Sequence, residues 1–172
     1  TAGTSPTYNS SAINGNPAVG FDGSDDYLDV SFSSLSQPNH IFMVAQVRSV
    51  EVATRFYDGG TGGSHQFYSD NPDTRWTLSA GVELFDGNVD TNDHIHSHLF
   101  NGTSSVMRLD GTQTVSGDAG TSVLDGFTTG ARGSASSFSD ILIGEILIYP
   151  EDKSWIVSDV ESYLSGKWGI TI

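Results

Sequence analysis

Cysteine is absent from the 172-residue sequence. No disulfide can staple the fold, and neither a thiolate nucleophile nor a thiolate metal site is available. Basic residues are scarce: 7 lysines and arginines face 21 aspartates and glutamates, for a formal net charge of −14. Such a chain repels phosphate, so nucleic acid is excluded as a natural partner, whereas divalent cations and salt-rich water suit it. Long apolar runs are missing as well. The best one, Ile141 to Tyr149, is interrupted by Gly144 and Glu145 and is too short to span a bilayer, so no membrane insertion is expected. No secretory leader is visible, and the first residue is Thr1 rather than methionine. The chain therefore reads as processed, or as a piece of a longer protein.

What the sequence does have is glycine, 20 residues of it. Much of it sits in a recurring unit of an apolar residue, Asp or Asn, then Gly. The unit occurs at Phe21-Asp22-Gly23, Tyr57-Asp58-Gly59, Phe85-Asp86-Gly87, Phe100-Asn101-Gly102, Leu109-Asp110-Gly111 and Leu124-Asp125-Gly126. Asp-Gly and Asn-Gly accept the positive φ of tight hairpin turns, so each unit predicts a turn between strands. Between them lie short strand-like segments. "YLDVSF" alternates Leu28, Val30 and Phe32 against Tyr27, Asp29 and Ser31, and "HIFMVAQV" (40–47) is nearly continuous apolar, as for a strand covered on both faces. "TRFYD", "HQFYS", "RWTLSA", "HIHSHLF", "SSVMRLD" and "ILIGEILIY" complete the set. Only the end of the chain has helical spacing, at Ile156, Val160, Tyr163 and Leu164. Ser154 is the expected N-cap, Ser158 with Glu161 a later alternative, and Gly166 the expected stop. The prediction is a single all-β domain over 1–172, an antiparallel two-sheet jelly-roll sandwich with one short C-terminal helix.

Two blocks, "INGNPAVGFDGSDDYLDV" (13–30) and "IGEILIYPEDKSWIVSDVESYLSGKWGI" (143–170), resemble the opening and closing signatures of LamG-like jelly-roll modules. These modules belong to the concanavalin A-like lectin/glucanase superfamily. "HLFNGTSSVMRLDGTQT" (98–114) is similar to that family's strand–turn–strand. The resemblance implies two antiparallel sheets, one of them curved, and a module of a secreted or virion-surface protein that binds a glycan or a neighbouring structural protein subunit. The family often carries a further N-terminal segment ahead of the Pro6 and Tyr8 seen here, so a partner strand is one way to complete the sheet. Glucanases of this fold carry a Glu-x-Asp-x-Glu type pattern on one strand. The pattern is absent here, and Glu145 stands alone, so the chain reads as non-catalytic.

Four aspartates crowd "FDGSDDYLDV" (21–30). Asp-Gly-Ser-Asp-Asp reads first as a solvated turn. Asp22, Asp25 and Asp26 are nevertheless the candidate metal ligands, for calcium, which takes six to eight oxygens. His94, His96 and His98 alternate along a strand and share one face, expected to be the polar, concave one. Three in a row span too far for one ion, so zinc would require His96, one neighbour and an outside ligand. A sugar needs an aromatic platform with hydrogen-bonding groups beside it. "GGTGGSHQFYSDNPDTRW" (59–76) offers Trp76, Tyr68, His65, Asn71 and Arg75, and His96 joins them as a candidate ligand contact. Against this, Trp76 alternates with Leu78 and suits a sandwich core. Trp155 and Trp168 are expected to pack in the C-terminal block.

Overall fold

The computed structural model describes residues 5–50, 53–61, 65–69 and 74–172. Its strands, in chain order, are β1 (Thr7–Ile13), β2 (Asn16–Asp22), β3 (Leu28–Val30), β4 (Asn39–Val47), β5 (Thr54–Asp58), β6 (Gln66–Ser69) and β7 (Arg75–Ser79). They continue with β8 (Glu83–Asn88), β9 (Asp93–Phe100), β10 (Ser105–Leu109), β11 (Thr112–Gly117), β12 (Phe127–Thr129) and β13 (Asp140–Tyr149). One helix, α1 (Val157–Trp168), follows. A seven-stranded sheet in the order β1-β2-β13-β4-β9-β10-β11 faces a six-stranded sheet in the order β3-β12-β5-β6-β7-β8. All the strand pairings are antiparallel. This is the all-β sandwich with a single C-terminal helix that the sequence predicts.

Turn chemistry and alternation account for the register. Asp110 and Gly111 both have positive φ and join β10 to β11, as a two-residue hairpin requires. Asn14 and Gly15 do the same between β1 and β2. Along β4, Ile41, Met43, Ala45 and Val47 face the six-stranded sheet, while Phe42 and Val44 face the helix. A continuous apolar run is the consequence of that double cover. Strand β3 departs from the usual pattern, for Leu28 and Val30 are 48% and 55% exposed.

The helix docks on the outer face of the seven-stranded sheet through Val160, Leu164 and Trp168, one residue per turn, with Ile170 beyond them. Its start and stop differ from expectation. Ser154 opens a 3₁₀ turn (Ser154–Ile156), its N–H bonded to Asp152 Oδ1 at 2.7 Å, and the α-helix begins only at Val157. The helix runs through Gly166 and ends at Gly169, whose φ of 66° turns the chain while its N–H reaches Ser165 O. Glu161 caps nothing. It accepts two hydrogen bonds from the Arg108 guanidinium, at 2.7 and 2.9 Å, with its side chain almost wholly buried. Removing one partner of a buried pair strands the other charge, so Glu161→Ala should lower unfolding free energy by about 3 kcal/mol. Urea denaturation of the variant against the parent measures this; a loss under half that value would place the pair in effective contact with water.

Candidate functional site

The alternation of strands decides which expected site residues can meet a ligand. Trp76 points inward. It is 4% exposed and stacks on Phe67 with ring centroids 5.6 Å apart. His96 is 1% exposed and lies 4.8 Å from the Trp76 ring, and His65 is buried against Phe100. Tyr68 and Arg75, one residue out of phase, take the outer face of the six-stranded sheet. There the Arg55 guanidinium sits 4.1 Å over the Tyr68 ring, Tyr68 donates to Glu83 Oε1 at 2.7 Å, and Arg75 lies 3.6 Å over Phe85. Asn71 lies outside the described residues. The expected six therefore form no single site, and Trp76, His65 and His96 offer no face to a sugar.

The histidine stripe of β9 also corrects an expectation. His94, His96 and His98 do share a face, but it is the one between the sheets, because they pair with Ala45, Met43 and Ile41 of β4. His96 and His98 serve here as neutral, flat core rings, packed on Phe56, Phe67 and Trp76. Burial pushes the Tyr57 phenol well above its ordinary range, so it stays protonated, and its hydroxyl shares a hydrogen bond with His98 Nδ1 at 2.9 Å. Burial is also what lowers His98 to about 3 and His40 to about 4, and it pushes His96 well below the ordinary histidine range. His94 moves the other way. Burial pulls it down, but hydrogen bonds to Asp110 and Asp90 at 2.6 and 2.9 Å outweigh that, and its pKa is raised.

Among several pockets formed by the described residues, a polar cleft of about 320 Å³ lies at the β3–β12 end of the six-stranded sheet; a more open one of about 510 Å³ lies among Gln37, Gly102 and Thr121. Tyr27, Asp29 and Ser31 line the polar cleft together with Thr128 of β12 and with Gly60, Gly133 and Ser134 from the loops. The long loop after β12 is pinned over the sheet because Asp58, fully buried, accepts from Gln66 Nε2 at 3.1 Å and from the Gly133 N–H at 3.0 Å. Tyr27 half-exposes its ring, 6.3 Å from Phe138. Neither side of this cleft was named from the sequence. The signal available was the alternation of Tyr27, Asp29 and Ser31 opposite Leu28 and Val30.

The acidic loop runs straight into the cleft. Asp22, Asp25 and Asp26 bring carboxylate oxygens within 4.8 Å of one another. Ser24 N–H bonds Asp22 Oδ1 at 2.8 Å, and Asp22 N–H bonds Asp26 Oδ2 at 3.2 Å, so the loop is a turn as well as a cluster. Arg48 fixes its base by pairing with Asp140 at 2.6 Å and with Phe21 O. Three such oxygens fit calcium, which is held at about 2.3–2.6 Å from each ligand and needs further oxygens besides. Glu145, the glutamate of β13, faces neither cleft nor loop: it accepts from Trp168 Nε1 at 2.8 Å and Lys167 Nζ at 2.9 Å. Trp168 packs, as expected. Trp155 does not; it stands in the 3₁₀ turn, 78% exposed, with the Lys153 ammonium 5.6 Å from its ring.

No protein-family model matches the chain, and no curated protein does. Solved structures do. A Trypanosoma rangeli sialidase in complex with the inhibitor DANA is 12% identical with a TM-score of 0.64 over 95% of this chain. The chain spans only 31% of that sialidase's length. Domain 4 of AbnA, a GH43 extracellular arabinanase from Geobacillus stearothermophilus, in complex with arabinotriose, is 15% identical with a TM-score of 0.60, covering 86% of this chain and 76% of that one. At such identities the likeness establishes the fold: a jelly-roll type β-sandwich.

The buried histidines make stability depend on pH. His40, His96 and His98 are neutral when folded but titrate near 6.5 when unfolded, so below that pH the unfolded chain takes up protons that the native one refuses. Stability should fall as pH drops from 6.5 toward 4, by up to about 1.4 kcal/mol per pH unit for each group. His94 acts in a separate window above this one, its contribution being complete below 6.5 and lost as pH rises through its elevated folded value. Thermal melting at pH 7, 6, 5 and 4 should show a falling midpoint, and His96→Leu should flatten the slope by roughly one proton's worth. An unchanged slope in that variant would mean that the imidazole is hydrated in solution.

Proposed function

We propose that the chain is a non-catalytic, LamG-like carbohydrate-binding module, displayed by a secreted protein or on a virus particle. The observation that carries this reading is the cleft between β3, β12 and the loop after β12. Its volume lies at the low end of small-ligand sites. Tyr27 supplies an aromatic surface for a sugar face, and Asp29, Ser31, Thr128 and Ser134 supply hydrogen-bonding groups around it. Asp29 is the single carboxylate among the described lining residues. Glycoside hydrolysis calls for two, about 5 Å apart or farther, which favours binding over cleavage. The arabinotriose complex of a domain with this fold makes a neutral oligosaccharide a sensible first ligand class. A calcium ion held by Asp22, Asp25 and Asp26 would stiffen the loop that delivers Tyr27 to the cleft.

A glycan array followed by calorimetric titration tests the reading. Binding should appear on at least one neutral oligosaccharide and weaken at least about tenfold in Tyr27→Ala and in Asp29→Asn. Silence across the array, or binding indifferent to both substitutions, would remove the cleft as the site. Calcium is tested separately. A ligand of the native state raises the melting midpoint, so calcium should raise it by several degrees, and chelator or Asp25→Asn should cancel the rise. A midpoint that ignores calcium would leave the loop as a turn only.

A further inference from the structure

Strand β13 changes character halfway along. From Ile141 to Ile143 it is paired on both sides, to β2 and to β4. From Glu145 to Tyr149 it is paired to β4 alone, and no described residue pairs with its other edge. Its burial records the change, from full through Ile143 to partial from Gly144 onward. β2 leaves because its turn is drawn to the end of the helix, where Asn14 Nδ2 bonds Trp168 O at 3.1 Å and Asn16 Nδ2 bonds Lys167 O at 3.3 Å.

An apolar groove lies on each face of that open edge. On the inner side Ile146 and Ile148 form a groove of about 310 Å³ with Leu28, Val30 and Phe127. On the outer side Leu147 and Tyr149 form one of about 390 Å³ with Ile156, Val160 and Tyr163. A strand added beside Glu145–Tyr149 would satisfy the open backbone groups and send alternate side chains into the two grooves. The inner groove holds one carboxylate, Asp29, and the outer groove two, Asp159 and the Lys167-paired Glu145; Asp29 and Asp159 have no ion-pair partner among the described residues. With a net charge of −14 on each chain, a second copy is repelled and a basic segment is attracted.

We infer that Glu145–Tyr149 is the receptor edge for an extended segment of another protein, apolar on both faces and flanked by lysine or arginine. It enters the seven-stranded sheet as an added strand next to β13, in the place that β2 vacates. The inner groove shares Asp29 and Val30 with the glycan cleft, but the inference does not rest on the glycan reading.

The probe is a dye-labelled peptide of five alternating valines and isoleucines with two lysines at each end, titrated with the whole chain and followed by fluorescence anisotropy. Saturable binding is expected at about 10–100 μM, with hydrogen exchange of the Glu145–Tyr149 amides slowed about tenfold. Leu28→Lys and Tyr163→Lys alter one exposed residue in each groove and should each weaken binding about tenfold, with the melting midpoint unchanged. The same peptide with proline at its centre should not bind, because it cannot complete the ladder. Four results would overturn the inference: no binding by the parent peptide, equal binding by the proline peptide, protection confined to another segment, or indifference to both substitutions. Protection of Glu145–Tyr149 that grows with protein concentration alone would also overturn it, by making the occupant a second copy.

Discussion

The indole of Trp168 lies directly over Gly144, and much of the architecture depends on that contact. A Cβ at position 144 would stand 2.6 Å from the ring, so a side chain there would lift the helix off the sheet. The indole N–H then anchors to Glu145, which also holds Lys167. At the same point the register of β13 against β4 slips by one residue, between Ile143 and Glu145. A bulge bends a strand and raises its twist. Here it coincides with the place where β2 turns away, so the packing of one ring on one glycine separates the closed half of the sheet from the open half.

Much of the fold was legible in the sequence because it rests on short-range rules. The double-sided apolar run of β4, the Asp110-Gly111 hairpin and the spacing of Val160 and Leu164 each announce their structure locally. The interior histidines were not legible. Imidazole counts as polar in a binary pattern, yet a neutral ring stacked on Phe67 and Trp76 behaves as an aromatic filler. The same alternation that puts Tyr68 on the outer face turns Trp76 into the core, and no window around residues 65–76 says which phase faces inward. Trp155 was misplaced for a similar reason, since the 3₁₀ turn that swings it outward replaces the simple helix start expected at Ser154. Of the candidate site, the carboxylate cluster could be read directly from three aspartates in five residues. The cleft could not, because its walls come from segments around positions 27–31, 60, 128 and 133–135 that only the sheet order brings together.

Strand β3 links the two surfaces that remain open. Three residues long and at the sheet's edge, it gives Asp29 and Val30 to both the polar cleft and the inner apolar groove. Among the described residues, β12 is the only strand it pairs with. Edge strands this short are a common protection against uncontrolled association. Here brevity also means that either surface rests on few backbone bonds.

The position of β13 has a consequence for how the chain is made. It sits between β2 and β4 in space but follows both by about a hundred residues in the chain. On the ribosome, the first hairpin and β4 emerge long before the strand that joins them, and α1, which covers their outer face, comes later still. The seven-stranded sheet cannot close during most of synthesis. One edge of β2 and one edge of β4 must wait unpaired, a condition that slows folding and favours rapid completion or escort by a chaperone.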